Sequence, residues 1–351
     1  MVFSPAILLV SFLSLLFGRD SAEILFAGDA MMHQAQIDAA SKASSTRGGY
    51  DFGGYFDSIA PYVLNADYAV VNLETPTAGA PYSGYPCFNA PAGFIDALSD
   101  AGFDLFLTAN NHTLDRRSNG LQATIDSLEI RGLDHIGTYK SRDERAQTLP
   151  FIKNINGIKV GFLNYTYGTN GFTPNGSAVV DYIDREQIAR DIDSARAAGA
   201  EIIAACIHWG IEYQLHEHTS QRQLTEFLAQ HGVDLIIGGH PHVVQPIHLV
   251  DNGTGGKRLI VYSLGNFISN MKTRDTRGGA IVKVLIERDD DGIARVKDAS
   301  YSLVYTEPGD SHTNFKLVWP DRSKHSGAIP FSKSARSLFK SSNTGISEFV
   351  P

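Results

Sequence analysis

The segment Gly239-His-Pro-His242 follows the apolar run Leu235-Ile-Ile237. A strand that ends there passes its last residues to a loop. Two imidazoles one residue apart are then rigidly supported and still accessible, as a metal site requires. On an extended backbone, the side-chain period of two would turn His240 and His242 to one side, where they could address neighbouring ions. Four other polar clusters also follow apolar runs. Asp29 and His33 lie in Ala27-Gly-Asp-Ala-Met-Met-His33, and a helical turn beginning there would put both on one face. Glu74, in Val71-Asn-Leu-Glu74, is a hard oxygen ligand able to bridge two cations. Asn111 and His112, in Thr108-Ala-Asn-Asn-His112, offer an amide oxygen to a metal and a proton to a leaving group. His208 closes an apolar run, and Gly210 after it admits close backbone approach.

Each cluster alone has an ordinary explanation. Asp29 could cap a helix, Glu74 could lie at the surface, Asn110 and Asn111 could form a turn, and His208 could be a core histidine. Together they describe five strands that end in Asp, Glu, Asn or His. Ligands at the carboxyl ends of strands converge in α/β folds. Nitrogen and oxygen donors without thiolate point to two divalent ions drawn from Mn, Fe, Zn or Mg, rather than to a structural zinc.

The elements that must position these groups are legible as alternating short strands and helices. Strands are expected at residues 24–27, 68–71, 105–107, 201–207, 234–237 and 258–264, and helices at 114–130, 185–198 and 220–230. Asn156-Gly157 between residues 151–155 and 158–162 is the strongest hairpin signal. Residues 278–287 and 293–305 form a second antiparallel pair. The inserted hairpins argue against a purely parallel doubly wound sheet. Two mixed sheets face to face with helices outside fit better. From Glu307 onward the periodicity fades, and residues 306–351 are expected to be an irregular extension.

Thirty basic and 38 acidic residues give a net charge of −8 over 351 residues, with no basic block. This disfavours nucleic-acid binding by a charged stripe. The two cysteines, Cys87 and Cys206, share no metal-type spacing and form no disulfide framework. Residues 6–17 have the length of a signal-peptide apolar region, with Ser21-Ala22 as a cleavage point, so residues 1–22 are set apart from the fold. Export to the periplasm or cell envelope follows, with an uncleaved membrane anchor as the alternative.

Six motifs carry a resemblance. Gly28-Asp-x-Met-x-His33, Asn72-Leu-Glu74, Ala109-Asn-Asn-His112, His208-Trp-Gly-x-Glu-Tyr213, Gly239-His-Pro-His242-x-x-Gln245 and Tyr262-Ser-Leu-Gly-Asn-Phe267 resemble, in order, those of the CapA family of poly-gamma-glutamate capsule biosynthesis proteins. The likeness spans residues 23–305. It implies the calcineurin-like metallophosphoesterase superfamily, with a four-layer α/β/β/α sandwich and a two-metal site at the sheet edge. It assigns Asp29 and His242, with His33 as a further candidate, to one ion. Asn111, His208 and His240 go to the other, Glu74 bridges, and His112 donates the proton. It also implies an anionic polymer or envelope substrate, and capsule synthetase or export membrane proteins as partners. A non-catalytic accessory that guides an acidic polymer is the other function it allows. The family's usual Leu-Asp-Tyr-Gly is here Leu114-Asp-Arg-Arg117, which places Arg116 and Arg117 where an anionic substrate could meet them.

Overall fold

The computed structural model describes residues 21–309, 313–342 and 344–351. The first half of the chain runs β1 (Ser21–Ala30), α1 (Gln34–Ala43), α2 (Ala60–Val63), β2 (Tyr68–Leu73), α3 (Gly93–Asp100), β3 (Leu105–Leu107), α4 (Arg117–Glu129), β4 (Asp134–Ile136), β5 (Thr138–Tyr139), α5 (Arg142–Thr148), β6 (Phe151–Ile155), β7 (Ile158–Thr166) and β8 (Val179–Val180). It continues with α6 (Arg185–Ala197), β9 (Ile202–His208), α7 (Thr219–Gln230), β10 (Leu235–Gly239), β11 (Ile247–Asp251), β12 (Lys257–Val261), β13 (Asn266–Ile268), β14 (Gly278–Arg288), β15 (Ala294–Glu307), β16 (Lys316–Val318), α8 (Ala328–Ser341) and β17 (Ser347–Glu348).

Local chemistry sets the element ends. Asp184 caps α6 by accepting the Gln187 amide at 2.8 Å, and Gly199 beyond its end takes φ +95°. The β6–β7 hairpin turns through Asn156 and Gly157, both at positive φ, as a tight two-residue turn demands.

Hydrogen bonds connect the main strands in the order β4-β3-β2-β1-β14-β15-β12-β10-β9-β7-β6. The mixed α/β architecture is as expected, with hydrogen bonding running on from one half-sheet to the other. The two halves meet where Lys257 of β12 pairs with Val296 of β15, and again at Leu264, which donates to the Gly238 carbonyl of β10 and accepts from the Ala280 N–H of β14. Side-chain alternation defines the layers. Ile24, Phe26 and Val70 from one half share a core with Phe162, Ala204 and Leu235 from the other. The alternate residues Leu25, Val71 and Phe106 face Ile37, Phe94 and Leu98 of α1 and α3. Ile203 and Ile236 face Ile188 and Leu228 of α6 and α7. Strands buried on both faces read as continuous apolar runs, and these do. The packing is compatible with a four-layer order of helices, half-sheet, half-sheet and helices.

β1, β2, β3 and β4 run parallel in one half, and β7, β9, β10 and β12 run parallel in the other. Their carboxyl ends hold every polar cluster singled out above. The apolar stretch at residues 6–17 lies outside the described residues. Ser21 and Ala22, the expected cleavage point, are paired with Glu287 and Ile286 inside β1. Among the described residues no helix is long and apolar enough to cross a membrane.

The C-terminal segment is not irregular. β16 and β17 pair with β15, and α8 sends Phe331, Ala335 and Phe339 into the core shared by the half-sheets. Phe315, Leu317 and Trp319 enter the core beneath α1 and α3. The strands β16 and β17 are only three and two residues long, whereas α8 is a 14-residue helix with Phe331, Ala335 and Leu338 buried at helical spacing. A Cβ on Gly278 would lie 2.7 Å from the Phe331 ring, so glycine there admits the helix. Phe331→Ala is expected to destabilise the protein by about 3–5 kcal/mol, the usual cost of emptying a core phenylalanine site. Denaturant midpoints check this, and an unchanged midpoint would show the segment to be an appendage.

Candidate metal centre

Asp29 is the penultimate residue of β1 and is fully buried. Its backbone N–H donates to the Gly265 carbonyl at 3.0 Å. A Cβ on Gly28 would fall 2.0 Å from that carbonyl oxygen, so only glycine permits the approach. One Asp29 oxygen accepts from the Asn72 amide at 2.8 Å. The other accepts the His240 backbone N–H at 3.2 Å and lies 3.4 Å from His242 Nδ1. A Cβ on Gly239 would meet the Asp29 carboxylate at 2.7 Å, so β10 also reaches the site through a glycine.

Glu74 follows β2 and is fully buried. Its Oε1 lies 3.6 Å from His208 Nε2 and 3.8 Å from His242 Nε2. Ligand atoms of Glu74, His240 and His242 lie within 4.8 Å of one another, as do those of Asp29, Glu74 and His208. Glu74 is common to both groups. The His208 Nε2 atom is 2.8 Å from Asn111 Oδ1.

His240 and His242 do converge, but not on an extended backbone. Both take positive φ, +100° and +58°, in the bend after β10. Their ring centroids are 5.9 Å apart. His33 does not share a helical turn with Asp29. β1 runs to Ala30, and His33 stands at the N-terminus of α1, where its Nδ1 accepts the Asn270 N–H at 3.2 Å. It belongs to neither close group of ligand atoms.

Burial decides the protonation of the cluster. It pushes His240 down to about 3, aided by the charge of His242, and His33 down to about 4. It holds His208 well below the usual imidazole range, with His240 adding to the effect. These rings are neutral and keep a lone pair. Burial and the neighbouring Asp29 push Glu74 well above the ordinary carboxyl range. Burial also acts to raise Asp29, but the His242 hydrogen bond and nearby imidazole and Asn72 contacts outweigh it and hold Asp29 low.

Two buried carboxylates therefore meet, and among the described residues their ion-pair partners are the imidazoles of His208 and His242 rather than Lys or Arg. Glu74 Oε1 and His240 Nδ1 are buried without a hydrogen-bond partner. Unpartnered buried acceptors beside paired carboxylates are what a cation would satisfy, so the donor set fits divalent metal.

Beside this cluster, His112 is 4% exposed and its Nδ1 lies 2.8 Å from Asp115 Oδ2. That oxygen also accepts the Phe88 N–H at 2.7 Å, and Phe88 packs edge-on to His112 with ring centroids 4.6 Å apart. Asp115 was visible in the sequence beside His112 without a role. Asn170 and Tyr167 carried no signal at all. Both lie on the connection leaving β7, remote in sequence from the other clusters. Asn170 Oδ1 accepts from Asn111 Nδ2 at 3.2 Å, which turns Asn111 Oδ1 toward His208. Tyr167 packs on His240 at 4.5 Å between centroids. Arg117 is committed to its own surroundings, 3.5 Å over the Phe172 ring and donating to the Leu114 carbonyl.

The chain is 27% identical over 242 residues to the capsule biosynthesis protein CapA of Bacillus anthracis, covering 65% of this chain and 56% of that protein. It is 27% identical over 283 residues to the PGA biosynthesis protein CapA of Bacillus subtilis (strain 168), covering 79% and 70%. It thus spans little more than half the length of the first relative. Among solved structures, Haemophilus influenzae NAD nucleotidase (NadN) aligns with a TM-score of 0.46 at 11% identity, over 94% of this chain and 57% of that one. The protein TT1561 of Thermus thermophilus aligns with a TM-score of 0.39 at 11% identity, over 76% and 94%. The family described as bacterial capsule synthesis protein PGA_cap matches residues 23–271, most of the chain, and the protein belongs to that family.

Proposed function

We propose that this protein is a metal-dependent hydrolase of capsule assembly, acting on a phosphoester or gamma-glutamyl amide in an exported polymer or envelope substrate. The observation that carries this reading is the buried Asp29–Glu74 pair, with Glu74 Oε1 left unpartnered among three imidazoles. Asp29, Glu74, Asn111, His208, His240 and His242 would hold a pair of divalent cations, with Glu74, common to both close groups, shared between them. When bound, such a pair supplies an activated water at neutral pH and stabilisation of developing oxyanion charge. The family's place in capsule synthesis supports location in the cell envelope, beside synthetase and export proteins.

The chain's own residues supply the rest. Asp115 accepts from His112 Nδ1 and stabilises the ring when it is protonated. The other nitrogen, Nε2, is then the one that holds a proton for the leaving oxygen or nitrogen. Phe88 restricts the ring from its flank. Asn170 holds Asn111 so that its oxygen, not its nitrogen, faces the centre.

Two outcomes test this. The first is hydrolysis by the purified protein, supplied with Mn, Fe, Zn or Mg, of a chromogenic phosphodiester or a gamma-glutamyl anilide. His112→Ala should lower kcat by about 10²–10⁴-fold, the range for losing a general acid, while metal content stays at the wild-type value. Wild-type protein that holds metal, turns over neither substrate and retains an acidic polymer would instead establish the accessory role.

The second is thermal stability. A cation at about 100 times its Kd should add about 2.7 kcal/mol, read as a rise in Tm. Glu74→Gln should abolish that rise and make the metal-free variant more stable than metal-free wild type at neutral pH. The sign follows from Glu74's raised pKa: its folded form favours the proton, so ionisation at neutral pH costs stability. A metal-induced Tm rise of wild-type size in Glu74→Gln would remove Glu74 from the ligand set.

A further inference from the structure

The segment Tyr262-Ser-Leu-Gly-Asn-Phe267 belongs to neither the ligand set nor the proton donor. Asn266 is nonetheless fully buried, and it opens β13 in register with Asp29 of β1. Its amide nitrogen donates to the Thr276 carbonyl at 2.8 Å and lies 3.3 Å from the Met271 sulfur. A carbonyl oxygen only accepts, so the Asn266 amide cannot be turned over without facing oxygen to oxygen. Asn266 Oδ1 is thereby held toward His242, 3.0 Å from Nδ1. The second neighbour of that Nδ1 is Asp29 Oδ2 at 3.4 Å, also an acceptor. Both partners of Nδ1 need a proton from it. The Nε2 atom, 3.8 Å from Glu74 Oε1, is left with its lone pair.

We infer that Asn266 is a positioning residue that fixes His242 in the Nδ1–H tautomer and so presents Nε2 to a divalent cation beside Glu74. The inference rests on the metal-centre reading for the cation, but the tautomer is a property of the metal-free chain. The hydrogen bond made by one imidazole nitrogen decides which nitrogen is available to a metal. Here that bond is decided one step further out, by a backbone carbonyl in the turn Arg274–Thr276.

Nitrogen-15 NMR of the metal-free full chain, at a pH above the ordinary imidazole range, reads the tautomer directly. The His242 signal is assigned by its loss in His242→Gln. Wild type should carry the proton on Nδ1. Asn266→Ala, which removes the acceptor, should shift the population toward Nε2–H. Titration with Mn²⁺ should show affinity weakened by about 10–100-fold in Asn266→Ala, as for other outer partners of metal-bound histidine. A wild-type His242 protonated on Nε2 overturns the inference, and that measurement needs no variant to fold. An Asn266→Ala protein with unchanged tautomer and unchanged Mn²⁺ affinity overturns it as well. Wild type that shows Nδ1–H but binds no cation upholds the fixing of the ring and sinks the metal-centre reading instead.

Discussion

The architecture depends on keeping two carboxylates out of water at one point. Asp29 and Glu74 are both fully buried, and among the described residues the side chains paired with them are the imidazoles of His208 and His242 and the amide of Asn72. Burying one unpaired charge costs several kcal/mol, and a second of the same sign raises the cost. The fold tolerates this because three donors from two segments are directed at Asp29: the amide of Asn72 in β2, and the backbone N–H of His240 and the ring of His242 in the bend after β10. Glu74 receives much less. That imbalance makes the centre a receptor for positive charge rather than a self-satisfied polar core.

Parallel strands explain how such a cluster is assembled. Each half-sheet delivers its carboxyl ends to one edge, so residues more than 200 positions apart meet without long loops. Glycines then remove the last obstacles. Gly28 lets β1 touch the Gly265 carbonyl, and Gly239 lets β10 touch Asp29. Both stand directly beside a proposed ligand in sequence, so the spacing of the motifs and the close approach of the backbones are one requirement.

The legible part of this was whatever local pattern determines. Buried strands such as 105–107 appear as apolar runs, and Asn156-Gly157 announces its hairpin because few other pairs accept two positive φ values. Five clusters at strand ends were readable for the same reason. What local pattern does not encode was missed or misread. The convergence of His240 and His242 comes from left-handed backbone imposed by packing, where an extended strand was expected. Asn170 reaches the centre from the connection after β7 and is an ordinary turn residue in sequence. The segment after Glu307 looked irregular because β16 and β17 are short strands whose partner is β15, although the 14-residue α8 does carry apolar residues at helical spacing, Phe331, Ala335 and Leu338. The joining of the half-sheets through Lys257 and Val296 is likewise a tertiary event with no local signature.

The placement of α8 bears on how the chain folds. β1 pairs with β14 across more than 250 residues, and Phe331 and Phe339 enter the same core that β1 and β2 line. Contacts at such separation carry a large loop-closure cost before they return any stability, and they slow folding. A chain emerging from its N-terminus can form the β1–β2–β3 unit early, but its inner face stays uncovered until β7, β9 and β10 of the other half arrive, and α8 completes that core later still. Any factor that delays those residues, or delivers the chain slowly across a barrier, would prolong a state in which that apolar surface is open to water. Rapid collapse is thereby traded for a core assembled from elements far apart in sequence.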